Sequence, residues 1–348
     1  MNQSELDKER LSQPASKTET EQLQEDSNTL ALILDEVSKI IVGQEKMNRS
    51  LLIGLLTGGH VLLEGLPGLA KTLSVKTLAR VLDAKFQRVQ FTPDLLPSDL
   101  IGTIIYRQET GEFVPKKGPI FANILLADEI NRAPAKVQSA LLEAMAEKQV
   151  TIGETTYLLE EPFLVLATQN PIEQEGTYNL PEAQLDRFLF KIKITYPSRD
   201  EERLILERMA STEEPQTHHI FSTQGILNMR HRLDLIYLDE RIKEYLLRLV
   251  MATRKNGEVS PSEADTRKLS EIRSSLFVGA SPRATIFLSR AARAHALLEK
   301  RSYVIPDDVK GVAREILRHR LILTFEAEAR NLTTDDVISL LLETVIVP

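Results

Sequence analysis

The spacing of hydrophobic and polar positions changes along the chain and divides it into segments. Residues 1–28 are almost wholly polar, and such a segment cannot bury enough apolar surface to order itself, so we predict a disordered tail. From Leu30 to Gly59 apolar residues recur with helical spacing, which predicts two helices on either side of a break at Gly43. Short apolar runs then alternate with amphipathic helices up to about residue 199. Helical patterns continue from there to the end, which predicts a second, mainly helical domain over residues 200–348.

Five of the short apolar runs are predicted to form a parallel sheet. Their apolar character is continuous, which is typical of strands that are buried on both faces between helices. The runs are HVLLE, FQRVQF, NILLAD, FLVLAT and LFKIKI, beginning at residues 60, 86, 123, 163 and 189. We therefore expect an α/β core domain over residues 29–199. Two stretches with a Gly at the turn, Arg107–Pro115 and Val150–Leu159, are predicted to be hairpins inserted into it.

Composition narrows the classes of protein to which the chain can belong. No run of about 18 apolar residues is present and the N-terminus lacks the features of a secretory signal, so no membrane span is expected. The absence of Cys excludes disulfides and thiolate metal sites and fits a cytoplasmic protein. The net charge is −7 and the basic residues are scattered, so a nucleic-acid partner is not expected.

The stretch HVLLEGLPGLAKT, His60 to Thr72, has the order of strand, Gly-rich turn and helix that a phosphate-binding loop requires. Backbone N–H groups of such a loop converge on phosphate oxygens at a helix N-terminus. Lys71 is predicted to contact the β- and γ-phosphates, and the Thr72 hydroxyl to bind Mg²⁺. The usual pattern has Gly where Ala70 stands. We expect Ala70 to enter the helix with a negative φ, where one methyl group fits. The alternative is a structural corner with a chance Lys-Thr.

A second motif, NILLADEINRA, ends a buried strand in two adjacent carboxylates. Burying such charges costs free energy unless a cation or a polar partner is present, so the pair favours a cation site at this strand end. Asp128 is predicted to hold Mg²⁺, directly or through water. Glu129 is predicted to orient and polarise the attacking water. The alternative for Asp128 is the N-cap of a helix.

Three further stretches place polar side chains where they can serve a nucleotide site. FLVLATQNP ends a strand near Asn170, whose amide can hold the lytic water; the alternative is a simple strand-ending turn. LPEAQLDRF places Arg187 before the last strand, where it pairs locally with Asp186 or Glu182 or reaches a neighbouring subunit's nucleotide. GASPRA puts Arg283 in the first turn of a helix. A positive charge opposes the helix dipole there, so we expect an anion to face it.

These motifs, in this order, resemble those of the AAA+ ATPases and most closely the MoxR family. EGLPGLAKT resembles the family's Walker A, which shares the Ala before the Lys; ILLADEINRA resembles its Walker B, ATQNP its sensor 1, LPEAQLDRF its arginine-finger segment and GASPRA its sensor 2. The resemblance covers roughly residues 30–340. It implies a P-loop NTPase core of the α/β class with a five-stranded parallel sheet in the order 5-1-4-3-2, and a small all-helical lid domain.

The resemblance also implies a set of ligands and site residues. ATP and Mg²⁺ are the expected ligands, bound between subunits of a ring that is usually hexameric. The residues implied at the nucleotide are Val42, Gly43, Gly65, Pro67, Gly68, Leu69, Ala70, Lys71, Thr72, Leu73 and Arg283; those at Mg²⁺ are Thr72 and Asp128; and those in catalysis are Lys71, Glu129, Asn170 and Arg187. The segment at Val42 matches one that packs near the adenine, and the two hairpins match inserts that face the central pore in relatives.

The function implied is hydrolysis of ATP coupled to chaperone-like remodelling of protein partners. Members of the family are often associated with a von Willebrand factor A-domain partner and with metal insertion or complex assembly. Two alternatives remain at this point: a nucleotide-gated assembly scaffold with slow hydrolysis, and a nucleic-acid motor. Glu129 favours hydrolysis, because a pure binding module needs no positioned base. The absence of a strongly basic hairpin weighs against the motor.

Overall fold

The chain forms two compact units in the computed structural model. The structure describes residues 16–66, 68–171, 177–210, 216–260 and 264–348. The core unit comprises residues 31–228, and the helical unit comprises residues 16–30 together with 229–348. The division thus falls later than the boundary predicted at residue 199. The reason is local: the Arg208 guanidinium, on the helix that begins at Arg199, donates to the backbone carbonyl of Ser38, which belongs to the core unit.

Helix α1 (Lys17–Ser38) begins well before the point where order was predicted. The expectation of a disordered tail over residues 1–28 is therefore wrong from Lys17 onward; residues 1–15 lie outside the described part of the chain. The polar segment is held by specific contacts with distant residues. The Asp26 carboxylate accepts two hydrogen bonds of 2.6 Å from Arg232, which is 206 positions away. Composition alone cannot reveal a partner at that distance.

Nine strands lie in the described part of the core unit. They are β1 (Val61–Glu64), β2 (Phe86–Gln90), β3 (Gly102–Arg107), β4 (Glu112–Lys117), β5 (Ile124–Asp128), β6 (Gln149–Ile152), β7 (Thr155–Leu158), β8 (Leu164–Gln169) and β9 (Phe190–Lys193). Five of them form one parallel sheet in the order β2-β5-β8-β1-β9. Counted among themselves in chain order, these strands run 2-3-4-1-5, which is 5-1-4-3-2 from the opposite edge. The other four form two antiparallel hairpins, β3–β4 and β6–β7, where inserts were predicted.

Helices of the core unit cover the sheet. They are α2 (Glu45–Thr57), α3 (Lys71–Val81), α4 (Pro97–Ile101), α5 (Ala135–Glu147), α6 (Glu182–Leu185) and α7 (Arg199–Met209), and the division between the units falls within α8 (Thr223–Arg232). Strands β1, β5 and β8 are buried along their whole length except for the last residue, which is partly exposed. Since the strands are parallel, these ends meet at one edge of the sheet, where polar groups become accessible.

The helical unit contains α9 (Glu240–Ala252), α10 (Thr266–Ser275), α11 (Pro282–Leu298), α12 (Pro306–Leu317), α13 (Phe325–Ala329) and α14 (Thr334–Thr344). Its core includes Leu288, Ile316 and Leu341, which are all fully buried. The structure adds a two-stranded antiparallel ladder, β10 (Leu276–Val278) with β11 (Ile322–Leu323), to these helices. Strands this short carry too few positions for an alternating pattern to predict them. None of the helices in the described part of the chain is long and apolar enough to cross a membrane.

A buried ion cluster joins α11 to α12. The Asp308 side chain is fully buried and accepts hydrogen bonds from Arg301 Nη1 at 2.6 Å and Arg301 Nη2 at 2.5 Å. It also contacts His295 Nδ1 at 2.8 Å and accepts from the Ile305 backbone N–H at 2.8 Å. Burial raises the pKa of Asp308, but the hydrogen bonds from Arg301 and His295 outweigh burial, so its pKa lies below the ordinary value.

Candidate nucleotide-binding site

A cavity of about 400 Å³ opens at the edge of the sheet where the parallel strands end. It is lined by Gly68, Ala70, Lys71, Thr72, Leu73, Arg88, Gln90, Asp128, Glu129 and Asn170. The sequence predicts eight of these ten residues and misses Arg88 and Gln90. Residues from the loop after β1, from the end of β5 and from the end of β8 therefore meet in one place, as the strand order requires.

The phosphate-binding loop holds Lys71 at the start of α3. The Lys71 ammonium donates to the Gly65 carbonyl at 2.7 Å, which bends the side chain back over the loop. Burial lowers the pKa of Lys71, and the nearby carboxylates of Asp128 and Glu129 act in the opposite direction. A Cβ at Gly65 would come within 2.9 Å of the Ile194 side chain, so this turn leaves no room for a larger residue. Pro67 lies outside the described residues.

Ala70 does not enter the helix with a negative φ, and that expectation is wrong. Its φ is +54° and its ψ is 17°, which is the left-handed region. Ala70 is the N-cap of α3: its carbonyl already accepts from the Ser74 N–H at 2.9 Å, while its own backbone remains outside the helix. This conformation favours Gly and costs a residue with a side chain about 1–2 kcal/mol. Gly68, two residues earlier, has a φ of +85°.

The Asp128 carboxylate is held on both of its oxygens. Oδ1 accepts from the Thr168 hydroxyl at 2.6 Å, and Oδ2 accepts from Arg88 Nε at 3.1 Å and Arg88 Nη2 at 2.6 Å. The Thr168 hydroxyl in turn accepts from the Glu129 backbone N–H at 2.8 Å. The N-cap alternative for Asp128 is wrong, because Glu129 occupies the N-cap of the 3-10 helix Ile130–Arg132 and makes no side-chain cap hydrogen bond there.

Glu129 has a left-handed backbone with a φ of +56°. In a strand, successive side chains point to opposite faces, so two adjacent carboxylates would diverge. The left-handed turn at Glu129 ends the strand and lets both carboxylates line the same cavity. The Glu129 Oε2 atom accepts from Gln90 Nε2 at 2.7 Å and lies 3.3 Å from Arg132 Nη1. Backbone strain of this kind in a residue other than Gly is concentrated at functional sites.

Three residues of this polar network escaped prediction: Arg88, Gln90 and Thr168. Arg88 and Gln90 are two positions apart on β2 and therefore share a face, and Gln90 is paired in register with Asp128. The run FQRVQF was interpreted as a strand buried on both faces, which is wrong, because β2 is an edge strand and only Val89 in it is buried. Its polar residues were a usable signal, since β1, β5 and β8 remain buried until their last positions.

The oxygen donors in the cavity fit a magnesium ion. The Thr72 hydroxyl and the Asp128 carboxylate line the same space, and Mg²⁺ prefers one or two protein oxygens together with waters and substrate phosphates. No group of three or more His, Asp or Glu side chains suited to a metal occurs among the described residues. A complete coordination shell at this site therefore requires oxygens from a nucleotide and from water.

A second, largely apolar cavity of about 280 Å³ adjoins the phosphate loop in the core unit. Its lining consists of Ile40, Ile41, Val42, Gln44, Gly68, Leu69, Ala70, Leu73, Pro197 and Ile205. An apolar slot beside a phosphate loop suits a flat base, and it contains Val42 and Leu69, as the resemblance implies. Gly43 has a φ of +66°, and a Cβ there would come within 2.5 Å of the Glu201 carboxylate.

Asn170, Arg187 and Arg283 have different positions with respect to the first cavity. Asn170 is buried, with 8% of its surface exposed, and lines the cavity. Arg187 is not among the described residues that line it; its Nη1 atom donates to the Leu142 carbonyl at 2.7 Å. Arg283 is the second residue of α11, in the first helical turn as predicted, and it belongs to the helical unit. The roles of Arg187 and Arg283 remain predictions.

A phosphate loop between β1 and α3, an acid pair at the end of β5 and this strand order define an α/β P-loop nucleotide-binding core. Residues 60–190 match the family model described as the ATPase family associated with various cellular activities (AAA). Residues 269–340 match the model of the AAA lid domain. The class of protein is therefore the AAA+ ATPases.

Similarity to individual proteins identifies the family within this class. The chain is 51% identical over 321 residues to the chaperone MoxR1 of Mycobacterium tuberculosis, with 92% of this chain and 83% of that protein covered. It is 42% identical over 320 residues to the protein YeaC of Bacillus subtilis, with 92% and 95% covered. A crystal structure of a candidate ATPase from Cytophaga hutchinsonii is 50% identical, has a TM-score of 0.87, and covers 95% of this chain and 98% of that one. The chain belongs to the MoxR family of AAA+ ATPases.

Proposed function

We propose that the protein is a Mg²⁺-dependent ATPase that couples hydrolysis to the remodelling or assembly of protein partners. The observation that carries this proposal is the presence of Lys71, Asp128 and Glu129 in the lining of one cavity. A protein that only binds nucleotide has no need of a carboxylate positioned as a base, so Glu129 supports hydrolysis over a purely nucleotide-gated scaffold.

Each residue of the cavity has a chemical role in this proposal. Lys71 and the backbone N–H groups of the loop bind the phosphates. Thr72 and Asp128 would hold Mg²⁺, which would supply positive charge beside the phosphate oxygens. Asn170 orients a water molecule in line with the γ-phosphate, and Glu129 accepts its proton as the oxygen attacks.

Residues from beyond the cavity complete the proposed cycle. In a ring assembly, Arg187 of one subunit stabilises charge on the γ-phosphoryl group bound by its neighbour. Arg283 responds to the loss of that group and moves the helical unit, which changes the angle between subunits. We infer a ring of six subunits, since this is the usual assembly of the family.

The proposed partner is a protein, for which a von Willebrand factor A-domain protein is the first candidate, and metal insertion is one process that such remodelling serves. The similarity to a relative named as a chaperone supports a protein partner. A cytoplasmic location agrees with the absence of Cys. The nucleic-acid alternative is weakened at the first hairpin, where the Lys117 ammonium lies over the rings of Phe121, at 4.7 Å, and Tyr157, at 5.3 Å.

Steady-state Mg²⁺-ATPase activity per subunit, measured across a wide range of protein concentration, tests the proposal. A specific activity that rises and then saturates is expected, because the site is completed between subunits. Activity that stays flat, in samples whose sizing shows monomers at the lowest concentration, would contradict the shared site. A complete lack of activity at every concentration would favour the nucleotide-gated scaffold.

A further inference from the structure

The Arg88 side chain lines the nucleotide cavity and binds Asp128 there. Two of its nitrogens, Nε at 3.1 Å and Nη2 at 2.6 Å, donate to the same carboxylate oxygen, Oδ2. Nη2 also donates to Gln90 Oε1 at 3.0 Å. The Asp128 side chain is 14% exposed, whereas that of Arg88 is 49% exposed. A largely buried carboxylate needs polar or cationic partners, and Arg88 is a cationic side chain that donates hydrogen bonds to this one.

The same carboxylate is the proposed protein ligand for Mg²⁺, and both of its oxygens have donors. The Thr168 hydroxyl donates to Oδ1 and also accepts from the Glu129 backbone N–H. Since this hydrogen bond connects two neighbouring strand ends, we expect it to persist when ligands bind. Oδ2 accepts from Arg88, a half-exposed side chain on the edge strand β2. A guanidinium and a divalent cation within a few ångströms of one oxygen repel each other. Oδ2 is therefore the oxygen that can exchange one cation for the other.

We propose that Arg88 is a positioning residue that substitutes for the divalent cation at Asp128 and is displaced from Oδ2 when Mg²⁺ and nucleotide bind together. The inference rests on the proposed function of this cavity. It predicts antagonism between Arg88 and Mg²⁺: the guanidinium weakens metal binding by the protein alone and makes tight metal binding depend on the phosphates. Asp128 is then held in position, with its charge balanced, through the whole cycle.

The test is the coupling between Mg²⁺ and ADP, measured by calorimetry. The affinity for ADP is determined in EDTA and in saturating Mg²⁺, and the ratio of the two affinities is the coupling factor. We expect Arg88→Gln to lower this factor about 5-fold or more relative to wild type, because the variant binds Mg²⁺ more tightly without nucleotide and coupling between two ligands is reciprocal. Arg88→Lys, which keeps the charge, is expected to restore a factor close to that of wild type.

A matched control separates local competition from a general change of charge. Arg132→Gln removes the same charge beside the neighbouring carboxylate, since Arg132 lies 3.3 Å from Glu129, and is expected to change the coupling factor less than about 2-fold. An equal fall in both variants would overturn the inference. So would a loss of ADP affinity in Arg88→Gln that is the same with and without Mg²⁺, because that result makes Arg88 a direct phosphate ligand.

Binding of Mn²⁺ to the protein without nucleotide, followed by electron paramagnetic resonance, gives an independent readout. Arg88→Gln is expected to bind Mn²⁺ more tightly than wild type, and an unchanged or weaker affinity would refute the inference. Circular dichroism checks that each variant is folded. If wild-type protein binds no ADP, the proposed function fails, whereas the Mn²⁺ comparison still decides the role of Arg88.

Discussion

Two arginine–aspartate pairs, one in each compact unit, use the same chemical groups in different ways. In the helical unit, Arg301 donates through two nitrogens to two oxygens of Asp308, and the Asp308 side chain is fully buried. In the core unit, both donating nitrogens of Arg88 share one oxygen of Asp128, and the guanidinium is half exposed.

The difference lies in what surrounds each carboxylate. Asp308 has further contacts with His295 and with the Ile305 N–H, so the fold itself supplies every partner. Asp128 borders a cavity. Of its two side-chain partners, Thr168 and Arg88, the half-exposed Arg88 can leave without disturbing a hydrophobic core. A saturated, buried pair is therefore part of the scaffold, whereas a half-exposed pair at a cavity wall can exchange partners. Ion pairs of the first kind are expensive to break, and those of the second kind contribute little to stability.

Substitution of a third arginine, Arg187, is expected to have the largest effect on ATP hydrolysis. Arg187 donates to the Leu142 carbonyl within its own chain, a contact that resembles the scaffold class. If Arg187 acts in trans as proposed, Arg187→Ala lowers ATP hydrolysis by about 10³–10⁵-fold, the range of known arginine fingers. Mixing this variant with Lys71→Ala subunits is then expected to restore part of the activity, measured as phosphate release. An absence of rescue, with subunit exchange verified by sizing, would assign Arg187 to the scaffold.

Glu129→Gln tests the role of the cavity carboxylate and is expected to have the second-largest effect on ATP hydrolysis. The amide cannot accept a proton from water, so we expect hydrolysis to fall by about 10²–10⁴-fold while ATP binding persists. Single-turnover hydrolysis and equilibrium binding of ATP measure the two quantities separately. Turnover close to that of wild type would remove Glu129 from the role of base.

Asp308→Asn tests the scaffold side of the comparison. Removal of one partner from a buried pair leaves Arg301 uncompensated, so we expect a loss of about 3–5 kcal/mol in the free energy of unfolding. Asp128→Asn is the matched variant and is expected to cost less than about 1 kcal/mol. Urea unfolding, with hydrogen exchange of the α12 amides as the local readout, makes the comparison. Equal losses in the two variants would contradict the distinction between the pairs.

The pH dependence of stability gives the smallest effect. The folded pKa of Asp308 is lowered, so its contribution is fully present above the unfolded value of about 3.9 and disappears as the pH falls through the folded pKa. We expect hydrogen exchange in α12 to accelerate as the pH falls below about 4, beyond the intrinsic change in exchange chemistry. Asp308→Asn should lack this component. An identical pH profile in wild type and Asp308→Asn would show that another group is responsible.

The sequence was sufficient for the elements that follow local rules. All five sheet strands lie where short runs predicted them, although β2 is not apolar throughout, and the loop and acid pair meet because parallel strands end at one edge. Asp128 and Glu129 were identifiable because two adjacent carboxylates at the end of an apolar strand have few structural explanations.

The features that escaped prediction depend on distant partners or on backbone geometry. Arg88 is a polar residue in a short run, and its importance follows only from its position on the strand next to β5, two residues before the Gln90 that pairs with Asp128. The order of residues 17–28 depends on contacts such as that between Asp26 and Arg232. The left-handed backbone of Glu129 has no sequence signal, because residues other than Gly adopt it only where the surrounding structure enforces it.

The left-handed Ala70 has a consequence for the timing of nucleotide capture. Gly at this position would let the unfolded and the folded loop sample many more backbone conformations. Ala restricts that freedom. The free-energy cost of ordering the loop backbone is then met when the chain folds, and not when the ligand binds. A binding loop that is rigid beforehand accepts its ligand without an ordering step. We therefore expect the Ala70 side chain to preorganise the loop for phosphate binding.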